Sequence, residues 1–385
     1  MPAIFFRGTN YSAVSTGALE TILEKSLNMK GVKQFTGFNE RNITPEVTKL
    51  CDFTIDSDVS KLGKVIVYNN AIHILGYTYF QYGPQTCFNH YVLSPNSSGV
   101  FDCTKLDTTL PTELKAETCV ALVHNGKIHL FTGTKNLKHY AFDGSAWETL
   151  TDLSLDDYTL SSAVSHGGYI YILDSYGRIN KWNETDDSLD TGIINIEIYD
   201  SNLVSFDGYI YIIGGRYVET SEVTNKVIRL KFLDNGYSDY REQTEQLPFL
   251  FKPQSCVVYK DSIHILGAPT SDTPCIHLKY NKNMGFVEIT NSNFDFDGNV
   301  VSFNDQLYEI GLFHSVYTVP SENKVEVSAY LPKDTVVAFN NLEASELKEV
   351  TNATKQEDGI SFKVLEDGIV TATVESSKEL KYTII

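Results

Sequence analysis

The sequence predicts an all-β fold: a ring of six four-stranded blades, a β-propeller, with an N-terminal arm and a small C-terminal β module outside the ring. Three observations predict it. A strand–turn–strand unit recurs six times, and its central aliphatic residues, Ile72, Ile128, Ile170, Ile210, Ile263 and Leu307, lie 40 to 56 residues apart, 47 on average. About 40 to 50 residues is the period of a four-stranded blade. Each unit holds a two-residue turn, four of them Asn-Gly, Gly-Gly, Asp-Gly or Asn-Asn, residues that accept the positive φ angles of a tight hairpin. After the turn comes a nearly unbroken apolar run, AIHIL or YIYII, as a strand buried on both faces requires.

In chain order, residues 1–46 fall outside the repeat. Leu19, Ile22, Leu23 and Leu27 share one helical face and Gly31 can end that helix. One short helix is not stable alone, so it must dock. A plug packed on the ring and an attachment arm for another protein are both open readings. Lys49 to Ile55 then reads as a strand. An open propeller would expose blade edges, so both chain ends must be tied together. Lys49–Ile55 as the outermost strand of the last blade is the preferred closure; Lys324–Tyr330 is the rival.

The ring itself spans residues 47–320. Four positions before each anchor stands a ring side chain: Tyr68, His124, His166, Phe206, Tyr259 and Phe303. Seven before it stands Val65, Ala121, Ala163, Leu203, Cys256 or Val300, all apolar. Several units end in glycine, at Gly76, Gly214, Gly267 and Gly311, with a double glycine at Gly214-Gly215. Downstream an aromatic is followed seven residues later by a bulky apolar residue, as in Tyr140 and Trp147, Trp182 and Leu189, and Tyr280 and Val287. This resembles the kelch repeat over roughly residues 50 to 320. The resemblance implies a six-bladed kelch-type propeller in which that aromatic packs one blade on its neighbour. The fourth unit departs from the spacing, with Phe232 and Tyr237, and only one unit has the double glycine.

Residues 321–385 change character. KVEVSAYLP, TVVAFN, ISFKVL and IVTATVE alternate or run β-branched, so they read as strands of a β-sandwich-like module. Glu366-Asp367-Gly368 is expected to form a hairpin turn between the last two.

Composition excludes some functions. With 31 Lys and Arg against 49 Asp and Glu, the net charge is -18. Binders of nucleic acid and of anionic membranes draw on clustered cations, so neither partner is expected. No apolar run reaches the roughly 20 residues that span a bilayer, and MPAIFFRGTNYSAV lacks the marks of a secretory signal. The expectation is a chain made in the cytoplasm, with a virion as one later destination. Six cysteines without a C-x-x-C pair read as reduced, mostly buried thiols, Cys87 and Cys103 being the only local pairing worth testing.

Chemistry-bearing candidates are few. His73, His129 and His264 follow the anchor where other units carry Tyr171, Tyr211 and Tyr308, so repeat packing explains them better than metal ligation. Asn293 to Gly298 alternates oxygen side chains, but the position that should complete a calcium loop with Glu is Asn304. No metal and no cofactor are expected. Kelch-like propellers include copper-radical oxidases; no segment here matches their converging Tyr, Cys and His ligands. Exposed aromatics rimmed by polar groups mark contacts, which singles out the loop Tyr77 to Asn89, with Tyr77, Tyr79, Phe80, Tyr82 and Phe88, and secondarily Arg216 and Tyr217. The expected function is non-enzymatic: a propeller binding protein or glycan through its loops, its layout resembling that of a phage virion component, either capsid decoration or a tail or receptor-contact protein. Other structural proteins, reached through the N-terminal arm, and a surface glycan are the expected partners; homo-oligomerisation is left open. The alternative is a carbohydrate-active lyase, mutarotase or oxidase using the central channel.

Overall fold

The computed structural model describes residues 37–43, 45–55, 61–77, 88–108, 119–133, 136–154, 159–234, 238–250, 252–267, 275–289, 298–311, 314–376 and 378–384. Every regular element among them is a β-strand. The helix expected between Leu19 and Gly31 and the candidate calcium loop up to Asp297 lie outside the described residues, as does Cys87.

The chain forms two compact units, Pro45–Ser321 and a second that joins Glu322–Ile385 to the described residues before Pro45. Among the described residues the larger unit holds six antiparallel blade sheets, five of four strands and one with a short fifth strand, Leu153–Ser154, besides a two-stranded pair. Their first strands are Lys61–Tyr68, Cys119–His124, Leu160–His166, Asn202–Phe206, Ser255–Tyr259 and Asn299–Phe303. Each of these lies beside the first strand of the next sheet, and the sixth lies beside the first. That cyclic succession makes a closed six-bladed propeller, and the sheets are called blades 1 to 6 in chain order.

Closure follows the preferred route. Thr48–Asp52 pairs antiparallel with Ser315–Val319 as the outermost strand of blade 6. Ser315 Oγ donates to Asp52 Oδ1 at 2.5 Å and the Phe53 amide to the His314 carbonyl at 2.8 Å. Phe53 and Ile55 then enter the core between blades 6 and 1.

Six apolar cores fill the six gaps between neighbouring blades. Alternation explains why the second strands are apolar throughout. In blade 3, Ile170 and Ile172 face blade 2, while Tyr171 and Leu173 face blade 4. All six anchors are fully buried, at 0% exposure. The spaced aromatics pack as expected of them: Tyr140, Trp182 and Tyr280 each lie in the core shared with the preceding blade. At the hairpins, Asn69-Asn70, Asn125-Gly126, Gly167-Gly168, Asp207-Gly208 and Asn304-Asp305 have positive φ at both central residues, the mirror-image turn that suits strand twist.

The smaller unit is a sandwich of two sheets on one core containing Val327, Leu331, Val337, Phe339, Phe362 and Val374. Asn39–Ile43, expected in the arm, is here an edge strand paired with Lys324–Leu331. The expected hairpin at Glu366–Gly368 is corrected. Ser361–Val364 belongs to one sheet with Val336–Phe339, whereas Gly368–Glu375 pairs with Lys324–Leu331 in the other. Residues 365–367 therefore cross between sheets, because both strands need a buried face on opposite sides of one core.

Candidate functional site

Strands alternate in direction, so the turns joining first to second strands lie on one face of the disc and the loops joining second to third strands on the other. Both candidates singled out in the sequence are second-to-third loops. Tyr77 and Phe88 are backbone partners closing blade 1 on that face; Tyr79, Phe80 and Tyr82 lie outside the described residues. Arg216 and Tyr217 follow the second strand of blade 4 and pair with Ile198–Tyr199.

Around Arg216 and Tyr217 a continuous rim is built. In blade 3, buried Asp174 accepts hydrogen bonds from the Tyr176 and Arg178 amides at 2.9 and 3.1 Å and from Arg178 Nε at 3.0 Å, fixing a tight loop. That loop carries Tyr176 outward at 53% exposure. Its Gly177 carbonyl accepts from the Ile196 amide, and the Glu197 carbonyl accepts from Val218, linking blade 3 to blade 4. Arg216 donates to the Ser221 carbonyl at 2.9 Å and stands 3.9 Å from Asp200, which Lys252 meets at 2.8 Å. Beyond Lys252's neighbours, Phe249 and Leu250 are exposed, the latter at 64%. Lys226 Nζ lies 4.8 Å over the Tyr217 ring. A hydrogen bond from Thr224 and the Lys226 ammonium hold the Tyr217 hydroxyl below the usual tyrosine range.

The double glycine is what permits this interlock. A Cβ on Gly215, at φ 105°, would stand 2.3 Å from Ser201 Oγ and 2.5 Å from the Tyr199 carbonyl; one on Gly214 would stand 2.6 Å from Pro253 Cδ. No side chain fits there.

The opposite face carries the ring-column side chains beside the hairpins. Ring-column residues tie blades together: Tyr68 and Tyr259 donate to the Gly126 and Asp305 carbonyls of the next hairpin, at 2.8 and 2.6 Å. His124 and His166 bond Ser165 and Ser205 of the next blade, at 2.8 and 2.9 Å. The post-anchor histidines form something the sequence did not reveal, three buried histidine pairs. His73, His129 and His264 each bond through Nδ1 to Nε2 of His90, His139 and His277 on the third strand, at 2.8 to 2.9 Å. Burial, and then the proximity of His73 or His129, depresses His90 and His139 to about 3; burial and then Lys279 does the same to His277. These pairs are neutral near pH 7.

In blade 1 a neighbouring indole sets the order of the protons. Trp147 Nε1 donates to His90 Nδ1 at 3.2 Å, so His90 Nε2–H donates onward to His73 Nδ1. His73 then directs its own N–H to the Tyr68 carbonyl. In blade 2, Asp187 Oδ1 stands 4.0 Å from His139 Nδ1 and its charge favours a proton there. The two rings share the 2.9 Å bond between His129 Nδ1 and His139 Nε2, and neither His139 Nδ1 nor His129 Nε2 has a hydrogen-bond partner of its own.

His129 lines a cavity of about 160 Å³ between blades 2 and 3. His129 and Trp182 form its floor, each 1% exposed. Glu148, Glu184 and Asp187 stand on its walls with Lys127. Lys127 is engaged by Glu148 at 2.7 Å, and Asn125 donates to Glu184 at 2.5 Å. Asp187, opposed by its partial burial, is nonetheless held below the usual carboxylate range by Thr151 and by Trp182 Nε1, which donates to it at 2.9 Å. The sequence signal for this cavity was faint: a second histidine ten residues after His129, and acidic residues between Asn183 and Asp187.

Among the described residues no three His, Cys, Asp or Glu side chains are placed to hold one metal ion. None of their elements is a helix long and apolar enough to cross a membrane. No family model and no curated protein matches the chain. Among solved structures, a novel fungal alcohol oxidase with catalytic diversity among the AA5 family, in complex with copper, is similar at 10% identity and a TM-score of 0.46, over 91% of this chain and 100% of that one.

Proposed function

We propose that the chain is a non-enzymatic binding propeller of kelch-like type that holds a partner protein or glycan on its second-to-third loop face. The observation carrying this reading is the rim of blades 3 and 4, where Tyr176 and Leu250 are 53% and 64% exposed around Arg216, Tyr217 and Asp200. Large apolar side chains set among paired charges on a rigid rim are what recognition surfaces use. The loop is held by backbone bonds to the neighbouring blade, so little order must be created on binding.

The finer reading is that of a phage virion component, bound to other structural proteins. It is supported by layout alone, a propeller accompanied by a separate sandwich built partly from the preceding segment.

The test is a sugar and peptide panel followed by ligand-observed NMR. Binding without chemical change of the ligand, lost in the variant Tyr176→Ser/Leu250→Ser, is expected. Conversion of any panel sugar by the wild-type chain would overturn the non-enzymatic reading. For the virion, mass spectrometry of purified particles should find the chain in stoichiometric amount; its absence there refutes that assignment.

A further inference from the structure

One segment, Phe38 to Ile55, serves both compact units, and it does so independently of the binding function proposed above. At its start the Phe38 ring packs on the sandwich core, 4.9 Å from the Tyr382 ring and 6.3 Å from that of Phe339. Its amide donates to the Tyr382 hydroxyl at 3.2 Å. Asn39–Ile43 then completes one sandwich sheet by pairing with Lys324–Leu331. Further on, Val47 packs on the core between blades 5 and 6, and Thr48–Asp52 completes blade 6. Phe53 and Ile55 fill the core between blades 6 and 1. Three apolar cores and two sheets thus depend on one stretch of chain. Only residues 44–47 separate its two strands, and only 320–323 separate the strands they pair with.

We infer that this segment is a clamp whose two strands dock cooperatively, so that freeing Asn39–Ile43 from the sandwich loosens the closure of the ring. The coupling needs no contact between the two units, because it comes from tether length. A tethered strand meets its acceptor at an effective concentration that falls roughly as the −3/2 power of the tether. While Thr48–Asp52 is docked, Asn39–Ile43 reaches its partner through residues 44–47 and 320–323, roughly 8 in all. Once Thr48–Asp52 comes away, the tether runs back to Lys61, where blade 1 begins, and grows to roughly 21 residues. The power law turns that into about a fourfold loss of effective concentration. Such coupling is reciprocal, so Thr48–Asp52 is held about four times less firmly when Asn39–Ile43 is free. A strand from another protein that competed for the edge of Lys324–Leu331 would displace Asn39–Ile43 and reach the ring closure without touching it.

The test is hydrogen–deuterium exchange on the full-length protein. Phe38→Asp sets a charge against an apolar core and should leave the Asn39–Ile43 amides unprotected. Thr48–Asp52 should then exchange about fourfold faster. Tyr169–Asp174 in blade 3, which reports global unfolding, should keep its wild-type rate. Adding Arg41→Cys and Glu326→Cys, at cross-strand partners whose ion pair spans 3.2 Å, allows the strand to be pinned again by a disulfide. Oxidation should return Thr48–Asp52 to the wild-type rate, and reduction should undo it. A second variant, with about 13 Gly and Ser residues inserted between Thr44 and Pro45, keeps every paired residue and lengthens only the tether. Its Asn39–Ile43 amides should exchange about fourfold faster. If Phe38→Asp leaves Asn39–Ile43 protected, this insertion alone decides. The proposal is overturned if Thr48–Asp52 keeps its wild-type rate with Asn39–Ile43 free, if pinning fails to restore that rate, or if the insertion changes nothing.

Discussion

Tyr259 shows how one position serves two readings. Its ring sits in a column of aromatic and histidine side chains that the sequence displays plainly, and apolar packing accounts for the column. What the sequence conceals is that Tyr68, His124, His166 and Tyr259 each also reach a polar group on the next blade, because that partner lies about 40 to 60 residues away. Tyr259→Phe keeps the packing and removes the 2.6 Å bond to the Asp305 carbonyl, so a loss of about 1 kcal/mol in urea unfolding is expected. Gly215→Ala is a harsher change. Its methyl would meet Ser201 Oγ at 2.3 Å from a backbone at φ 105°, and a loss of about 3 kcal/mol is expected, with weakened binding at the rim. The double glycine was visible in the sequence; its role in locking two blades was not, since Tyr199 and Pro253 carry no mark of it.

The hairpins were the most legible elements. Asn-Gly, Gly-Gly and Asp-Gly state their own backbone angles, and the strands on either side follow from them. Where a turn uses a poorer residue, improvement is available. Asp305 is exposed with φ at 55°, and Asp305→Gly should stabilise the chain by about 0.5 kcal/mol, measured as a raised denaturation midpoint. The closing strand was legible as a strand, and its place was inferred from the need to hide an edge. Phe53 just beyond it is 7% exposed in the core of blades 6 and 1. Phe53→Ala should cost about 3 kcal/mol by calorimetry, as expected of a deleted core aromatic. The sandwich went partly unread: alternation identified its strands, but a polar Glu-Asp-Gly stretch can either turn a hairpin or cross between sheets. Only the competition for one apolar core decides between them.

For the molecule as a whole, the three histidine pairs set an acid limit. Six histidines, none more than 5% exposed, are kept neutral by burial. The unfolded chain takes up their protons below about pH 6.5, whereas folded His129 waits until about 4 and His90, His139 and His277 until about 3. Stability is therefore complete above pH 6.5 and drains away as pH falls toward those values, by about 1.4 kcal/mol per histidine per pH unit. Urea midpoints should fall steadily between pH 6.5 and 4.5, above the carboxylate range, and the variant His264→Phe/His277→Phe should show a shallower slope; a flat profile would refute neutral pairing. The ring count was legible because six copies average out their individual defects. The pairs were not, since each couples strands whose register the sequence does not state. One more consequence follows from the way blade 6 is finished. Asp52 and Ser315 are 263 residues apart, so on a ribosome adding about 5–20 residues per second the earlier strand emerges roughly 13–50 s before its mate. Throughout that interval the nascent polypeptide carries an unsatisfied ribbon edge with Phe53 beside it, and chaperone capture during synthesis should concentrate on Thr48–Ile55.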